Sequence, residues 1–83
     1  MTPTPRTVAD LRRGESGVVA VVVGGDALAQ RLVDQGLWPG IEVELVTRAP
    51  GGDPVLVRLH GYRLALRRDE AARVQLVGIE GDR

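Results

Sequence analysis

Apolar residues recur along the chain at two different periods, and the places where the period changes mark the elements. Val18 to Val23 is a β-branched run broken only by Ala20 and bounded by Gly17 and by Gly24 with Gly25. Apolar side chains on both faces predict a strand enclosed on both sides, as in a barrel or beneath a covering helix. From Ala27 to Gln35 the spacing becomes helical. Leu28 and Leu32 stand four apart with Ala29 and Val33 beside them, Asp26 precedes as an N-cap and Gly36 follows as a stop. Strict alternation returns at Ile41 to Arg48, where Ile41, Val43 and Leu45 face one way and Glu42 and Glu44 the other. Pro50, Gly51, Gly52, Asp53 and Pro54 then read as a turn. Val55, Val57 and Leu59 alternate against Leu56, Arg58 and His60, and after Gly61 the inward set continues at Leu64 and Leu66, which predicts a hairpin. At the start, Thr7 caps a helical turn through Leu11, with Asp10 placed to meet free amides and Gly14 to end it. At the end, Asp69 to Ala72 allows one helical turn, and Val74 and Leu76 give a last strand before Gly78.

Strands this short cannot fill the two sheets of a sandwich, and curling on themselves hides their edges. The expected fold is therefore mainly β: a small, open SH3-like β-barrel of about five strands with a short α-helix inserted after the first strand. Residues 7–78 would form the domain. Residues 1–6, with two prolines and two threonines, read as a disordered leader, and residues 79–83 as a polar tail.

Composition narrows this reading. A chain of 83 residues supports one modest core. With Trp38 and Tyr62 the only aromatics, that core must come from Val, Leu, Ile and Ala. The absence of cysteine removes both a disulfide framework and a thiolate metal site and fits a reducing cytoplasm. No apolar stretch follows the amino terminus, so neither a signal peptide nor direct membrane insertion is expected, and a membrane role would run through a partner. Eleven basic and eleven acidic residues cancel, leaving no global field for nucleic acid or anionic lipid. Every base is arginine. The stretch from Arg58 to Arg73 holds five of them against Asp69 and Glu70, five minus two giving a local net of plus three, which suits an acidic partner.

Candidate chemistry is sparse. Gly24, Gly25 and Asp26 lack the further glycines, Lys and Ser or Thr of a phosphate-binding loop and read as a strand-to-helix turn. His60 is the sole histidine, with no second imidazole or thiolate to share a transition metal, and Asp26, Asp34, Glu42, Glu44 and Asp53 are scattered rather than spaced as a loop for a hard cation. Ser16, the only serine, stands at a turn without a base. No catalytic residue, metal or cofactor is expected. The richest local signal is the corner Gly36, Leu37, Trp38, Pro39, Gly40. Gly36, Pro39 and Gly40 read as architecture and Leu37 as a plug in the barrel end, while Trp38 beside a turn proline reads as a partner contact. The candidate partner-binding residues are Trp38, Leu37, Arg58, Arg63, Arg67 and Arg68.

These residues also form an ordered set: Leu11, Gly14, Glu15, Gly17 and Val18; Arg31, Leu32, Gly36, Leu37, Pro39 and Gly40; Ala49, Pro50, Gly52, Asp53 and Pro54; Gly61, Leu64, Leu66, Arg67, Glu70 and Ala71. In this order and spacing the chain resembles the ferrous iron transport protein A family (FeoA) from about Val8 to Val77. The resemblance implies an SH3-like barrel in the bacterial cytoplasm that docks on the cytosolic, GTP-binding part of the ferrous iron transporter FeoB and affects its activity or assembly, alone or as a homo-oligomer. Trp38, where a smaller residue is frequent between Leu and Pro, departs from that pattern, as does the exclusive use of arginine. Two other readings stand beside it. One is the ligand- or peptide-binding terminal module of a metal-dependent repressor. The other is a nucleic-acid-binding barrel working through the Arg58 to Arg73 stretch, for which two aromatics offer little base stacking.

Overall fold

The computed structural model describes residues 6–81. The leader expected at residues 1–6 lies outside the described residues except for Arg6, whose carbonyl accepts a hydrogen bond from Leu76 N–H at 2.8 Å. A 3-10 turn at Val8–Asp10 opens the fold, with the Asp10 carboxylate accepting from Thr7 N–H at 2.9 Å. Five strands follow, β1 (Ser16–Val22), β2 (Glu42–Arg48), β3 (Val55–Leu59), β4 (Tyr62–Leu66) and β5 (Val74–Glu80), with helix α1 (Ala27–Asp34) after β1 and a single helical turn α2 (Arg68–Ala71) before β5. All pair antiparallel in the order β4-β3-β2-β1-β5. This is the expected mainly β architecture with its inserted helix. The sheet is curled but not closed, because β4 and β5 do not pair.

The alternation read from the sequence sets the core. Val43 and Leu45 of β2, Val55, Val57 and Leu59 of β3 and Leu66 of β4 are buried, joined by Leu32 of α1, Leu37, Val8 and Leu11. Asp26 caps α1, its Oδ1 accepting from Ala29 N–H at 3.1 Å. Among the described residues no buried side-chain polar atom lacks a hydrogen-bond partner.

Two expectations need correction. The apolar run Val18 to Val23 is not enclosed on both sides: Gly17 and Val19, on one face, are buried, Val18 on the other is half-buried, and Ala20, Val21 and Val23 are exposed. The cause is a bulge. Pairing with β5 shifts register between Val19 and Val21, and one inserted residue swaps which side chains face the core. The last strand also runs beyond Gly78 to Glu80, because Ser16 at the start of β1 pairs with Glu80 and extends the ladder.

Two carboxylates tie the loops and contribute to the acid response. The Arg73 guanidinium at 2.6 Å, and then Ala29 N–H, hold the Asp26 carboxyl below its ordinary value of 3.8. Arg12 N–H at 2.6 Å, with Arg6 beside it, holds the Glu15 carboxyl below its ordinary 4.5. Both groups bind protons more weakly folded than unfolded. Their contribution to stability is therefore present above those ordinary values and lost as pH falls through the lowered ones. The melting temperature should hold steady above about pH 5 and drop on acidification below about pH 4, and the drop should be smaller in Asp26→Ala, as circular dichroism melts across that range would report.

Candidate functional site

The corner after α1 is fastened from several directions. Gly36 takes φ 109°, a conformation that admits glycine far more easily than any residue with a Cβ. Leu37 N–H donates to Leu32 carbonyl at 3.3 Å and Gly40 N–H to Val19 carbonyl at 2.8 Å, which ties the corner to both α1 and β1. Leu37 is fully buried in the core. It is the expected plug, and burial removes it from the candidate partner contacts. Its neighbour Trp38 is turned outward and is 49% exposed.

The hairpin β3–β4 delivers the other side of this face. His60 and Gly61 form its turn with φ 53° and 81°, the left-handed pair that a two-residue connection between twisted strands requires. Leu59 and Tyr62 pair across that turn, so Tyr62 sits on the core-facing side at the very end of the sheet, over the end of α1. Its hydroxyl donates to Gln35 carbonyl. The ring of His60 lies 6.1 Å from that of Tyr62, nearly parallel, and 5.0 Å from Trp38 at 57°. His60 Nε2 donates to Gly36 carbonyl at 3.2 Å. Both aromatics and the one histidine thus make a single exposed face, with Tyr62 42% exposed. Sequence reading missed the convergence. Trp38 alone stood out there, whereas Tyr62 carried only one signal, its place directly after the His60-Gly61 turn.

The arginines do not form one patch. Arg58 and Arg63 face each other across β3 and β4, with Arg58 held by Glu44 at 3.0 Å. Arg67 and Arg68 stand at the start of α2, where Asp53 Oδ1 accepts from Arg68 N–H at 3.1 Å. Arg73 lies elsewhere, bound to Asp26. Between β4, α1 and α2 opens a cleft of about 510 Å³ lined by Arg31, Gln35, Asp53, Pro54, Ala65, Arg67 and Glu70. Glu70 is buried at its wall. It accepts from Arg67 N–H at 2.8 Å and from the Arg31 guanidinium, which joins α1 to α2. Gln35 both lines the cleft and holds Tyr62, so cleft and aromatic face are contiguous.

An apolar, hydrogen-bonding platform beside guanidinium groups suits recognition of a protein surface. Among the described residues no three His, Cys, Asp or Glu side chains gather as a metal site, and no helix is long and apolar enough to cross a membrane.

Comparison with known proteins gives a consistent picture. A family model described as the FeoA domain matches residues 6–77. An Fe(2+) transport protein A/Fe(2+) transporter FeoB fusion protein of Porphyromonas gingivalis is 30% identical over 69 residues, covering 83% of this chain and 8% of that relative. The chain therefore spans a small part of the relative's length. Among solved structures, FeoA of Stenotrophomonas maltophilia, complexed with zinc and described as a prokaryotic SH3 domain protein, superimposes with a TM-score of 0.82 at 38% identity over 92% of this chain and 96% of its own. The FeoA protein of Chlorobium tepidum gives a TM-score of 0.77 at 31% identity over 94% of this chain and 74% of its own. A manganese-dependent transcriptional repressor shares the fold at 20% identity, with a TM-score of 0.77 over 90% of this chain and 43% of its own.

Proposed function

This chain belongs to the FeoA domain family, and from that premise we propose that it is a small accessory protein of bacterial ferrous iron uptake. It binds the cytosolic part of the transporter FeoB and modulates its activity or assembly, in the cytoplasm and without catalysis of its own. The observation that carries this reading is the relative in which the same domain and FeoB are parts of one fusion protein. Fusion holds two modules at high effective concentration, which serves a pair that works in contact. The exposed Trp38, His60 and Tyr62 face supplies a surface of the right chemistry. Aromatic side chains offer large contact area at low entropic cost, and their tethering to Gln35 and Gly36 fixes their geometry before binding.

A pull-down with the transporter's cytosolic part, run without nucleotide and with GDP or a GTP analogue, tests the proposal. Wild type is expected to be retained in at least one nucleotide state, and Trp38→Ala and Arg67→Glu to be retained about tenfold less. Failure of the wild-type chain to bind in every state would sink it. The repressor-module reading gains nothing comparable, since likeness at 20% identity concerns the fold alone.

A further inference from the structure

The two edges of the sheet are treated differently. At β5 the first part of the edge is covered, because Thr7 bridges to Gln75 and Leu76 N–H donates to Arg6 carbonyl at 2.8 Å. At β4 it is open. The two-residue turn makes Leu59 and Tyr62 a hydrogen-bonded pair, and antiparallel alternation then directs the backbone groups of Tyr62, Leu64 and Leu66 toward β3 and those of Arg63 and Ala65 away from it. Neither Arg63 nor Ala65 has a backbone partner on that side among the described residues. One step further along the same edge, Arg67 N–H is already occupied, and its acceptor is a carboxylate, Glu70 Oε1 at 2.8 Å.

At Ala65 this open edge borders the cleft, with Ala65 and Arg67 on one side and Arg31 of α1 and Gln35 just after it on the other. Of the two carboxylates that line the cleft, Glu70 is paired with the Arg31 guanidinium and also accepts from Arg67 N–H, while Asp53 accepts from Arg68 N–H and keeps its charge. Arg63, Arg67 and Arg68 enter no ion pair among the described residues. Cationic side chains on an edge strand ordinarily keep other strands away. Against an acidic strand the same charges attract, so the edge discriminates by sign.

We propose that the β4 edge, through the backbone groups of Arg63 and Ala65 and the guanidinium groups of Arg63 and Arg67, takes up an acidic extended segment of FeoB's cytosolic part as an added strand. The inference rests on the transporter-binding reading above and names the chemistry of the contact. Main-chain bonds supply affinity, and carboxylates beside the arginines supply selection.

Calorimetric titration of the whole chain with FeoB's cytosolic part, in each nucleotide state, combined with amide exchange followed by NMR, tests it. Ala65→Pro removes an edge N–H that no ladder bond uses, so the sheet should survive while affinity falls about tenfold or more. In the wild-type complex the amides of Arg63 and Ala65 should exchange about tenfold more slowly than in the free chain, a readout that needs no variant. Arg63→Glu should weaken binding by a similar factor, and added salt should weaken the wild type more than Arg63→Glu. Binding that is unchanged in Ala65→Pro, with no slowing at Arg63 and Ala65, overturns the edge proposal and leaves the transporter reading standing. Loss of binding in Trp38→Ala alone does the same. Slowing that depends on this chain's own concentration without the transporter overturns it in favour of a second copy at the edge. No binding by wild type in any nucleotide state overturns both.

Discussion

Leu37→Ala is expected to lower the free energy of unfolding by about 2 to 5 kcal/mol, measured by urea denaturation, while Trp38→Ala changes it by less than about 1 kcal/mol. The contrast between neighbouring residues is the point. Leu37 is fully buried among Val8, Leu11 and Leu32 and the strand residues of a core that holds no aromatic ring, so truncation leaves a cavity that β-branched neighbours cannot easily fill. For a domain whose total stability is on the order of 4 to 12 kcal/mol, that loss takes a large share, and the midpoint of unfolding should move accordingly. Leu37→Met, which keeps the volume, should cost less than about 1.5 kcal/mol. Trp38 is about half exposed and lies against His60, so its truncation should appear in partner binding instead of stability. Equal destabilisation by Leu37→Ala and Trp38→Ala would mean that the corner is architectural throughout and that the binding face lies elsewhere.

Much of this fold could be read from period alone. Val55, Val57 and Leu59 against Arg58, and Val43 and Leu45 against Glu42, alternate as a half-buried sheet must, and the strands stand where those patterns stand. The helix was equally plain, from Asp26 as cap to Gly36 as stop, because capping and left-handed geometry act through one or two local residues. What the pattern hid depends on pairing. Nothing in the run Val18 to Val23 shows where β5 slips register, so the outward turn of Val21 and Val23 was illegible. Gly78 looked like a terminus because its place in a ladder is decided by Ser16 and its neighbours, far away in the chain.

The candidate site divides the same way. Leu37 read as a plug and Trp38 as an outward contact beside a turn proline, although both stood among the candidate partner contacts. Only Trp38 stays outside, because the hydrogen bonds of Leu37 and Gly40 to α1 and β1 hold Leu37 in the core. The arginine stretch seemed a single patch because it is continuous in sequence. The hairpin places Arg58 and Arg63 on its outer face, α2 turns Arg67 toward the cleft, and Arg73 crosses to Asp26. His60 read as one of the residues opposite the hairpin's inward set, with no metal to bind. It is exposed, but it also bridges Trp38 and Tyr62 and binds the Gly36 carbonyl, a role created by the turn it occupies.

Gly36→Ala is expected to act on both stability and the aromatic face. At φ 109° a side chain of any size strains the backbone, at a cost of about 1 to 3 kcal/mol. A Cβ added there would also stand 2.5 Å from the Tyr62 hydroxyl and 3.3 Å from His60 Cδ2, closer than the hydroxyl can tolerate. Tyr62 must then swing away, giving up its bond to Gln35 and its stacking on His60, and partner binding should fall even at temperatures where the variant remains folded. The two costs separate in a double-mutant cycle. Tyr62→Phe removes the hydroxyl and should itself cost about 0.5 to 1.5 kcal/mol. In the Tyr62→Phe background the penalty of Gly36→Ala should shrink by about 0.5 kcal/mol or more, leaving the backbone strain behind. Strict additivity would show that the hydroxyl does not meet the corner in solution. A Gly36→Ala chain of unchanged stability would show that the corner does not need its left-handed residue. The coupling thus tests in one experiment whether the corner and the hairpin turn, distant in sequence, hold the aromatic face together.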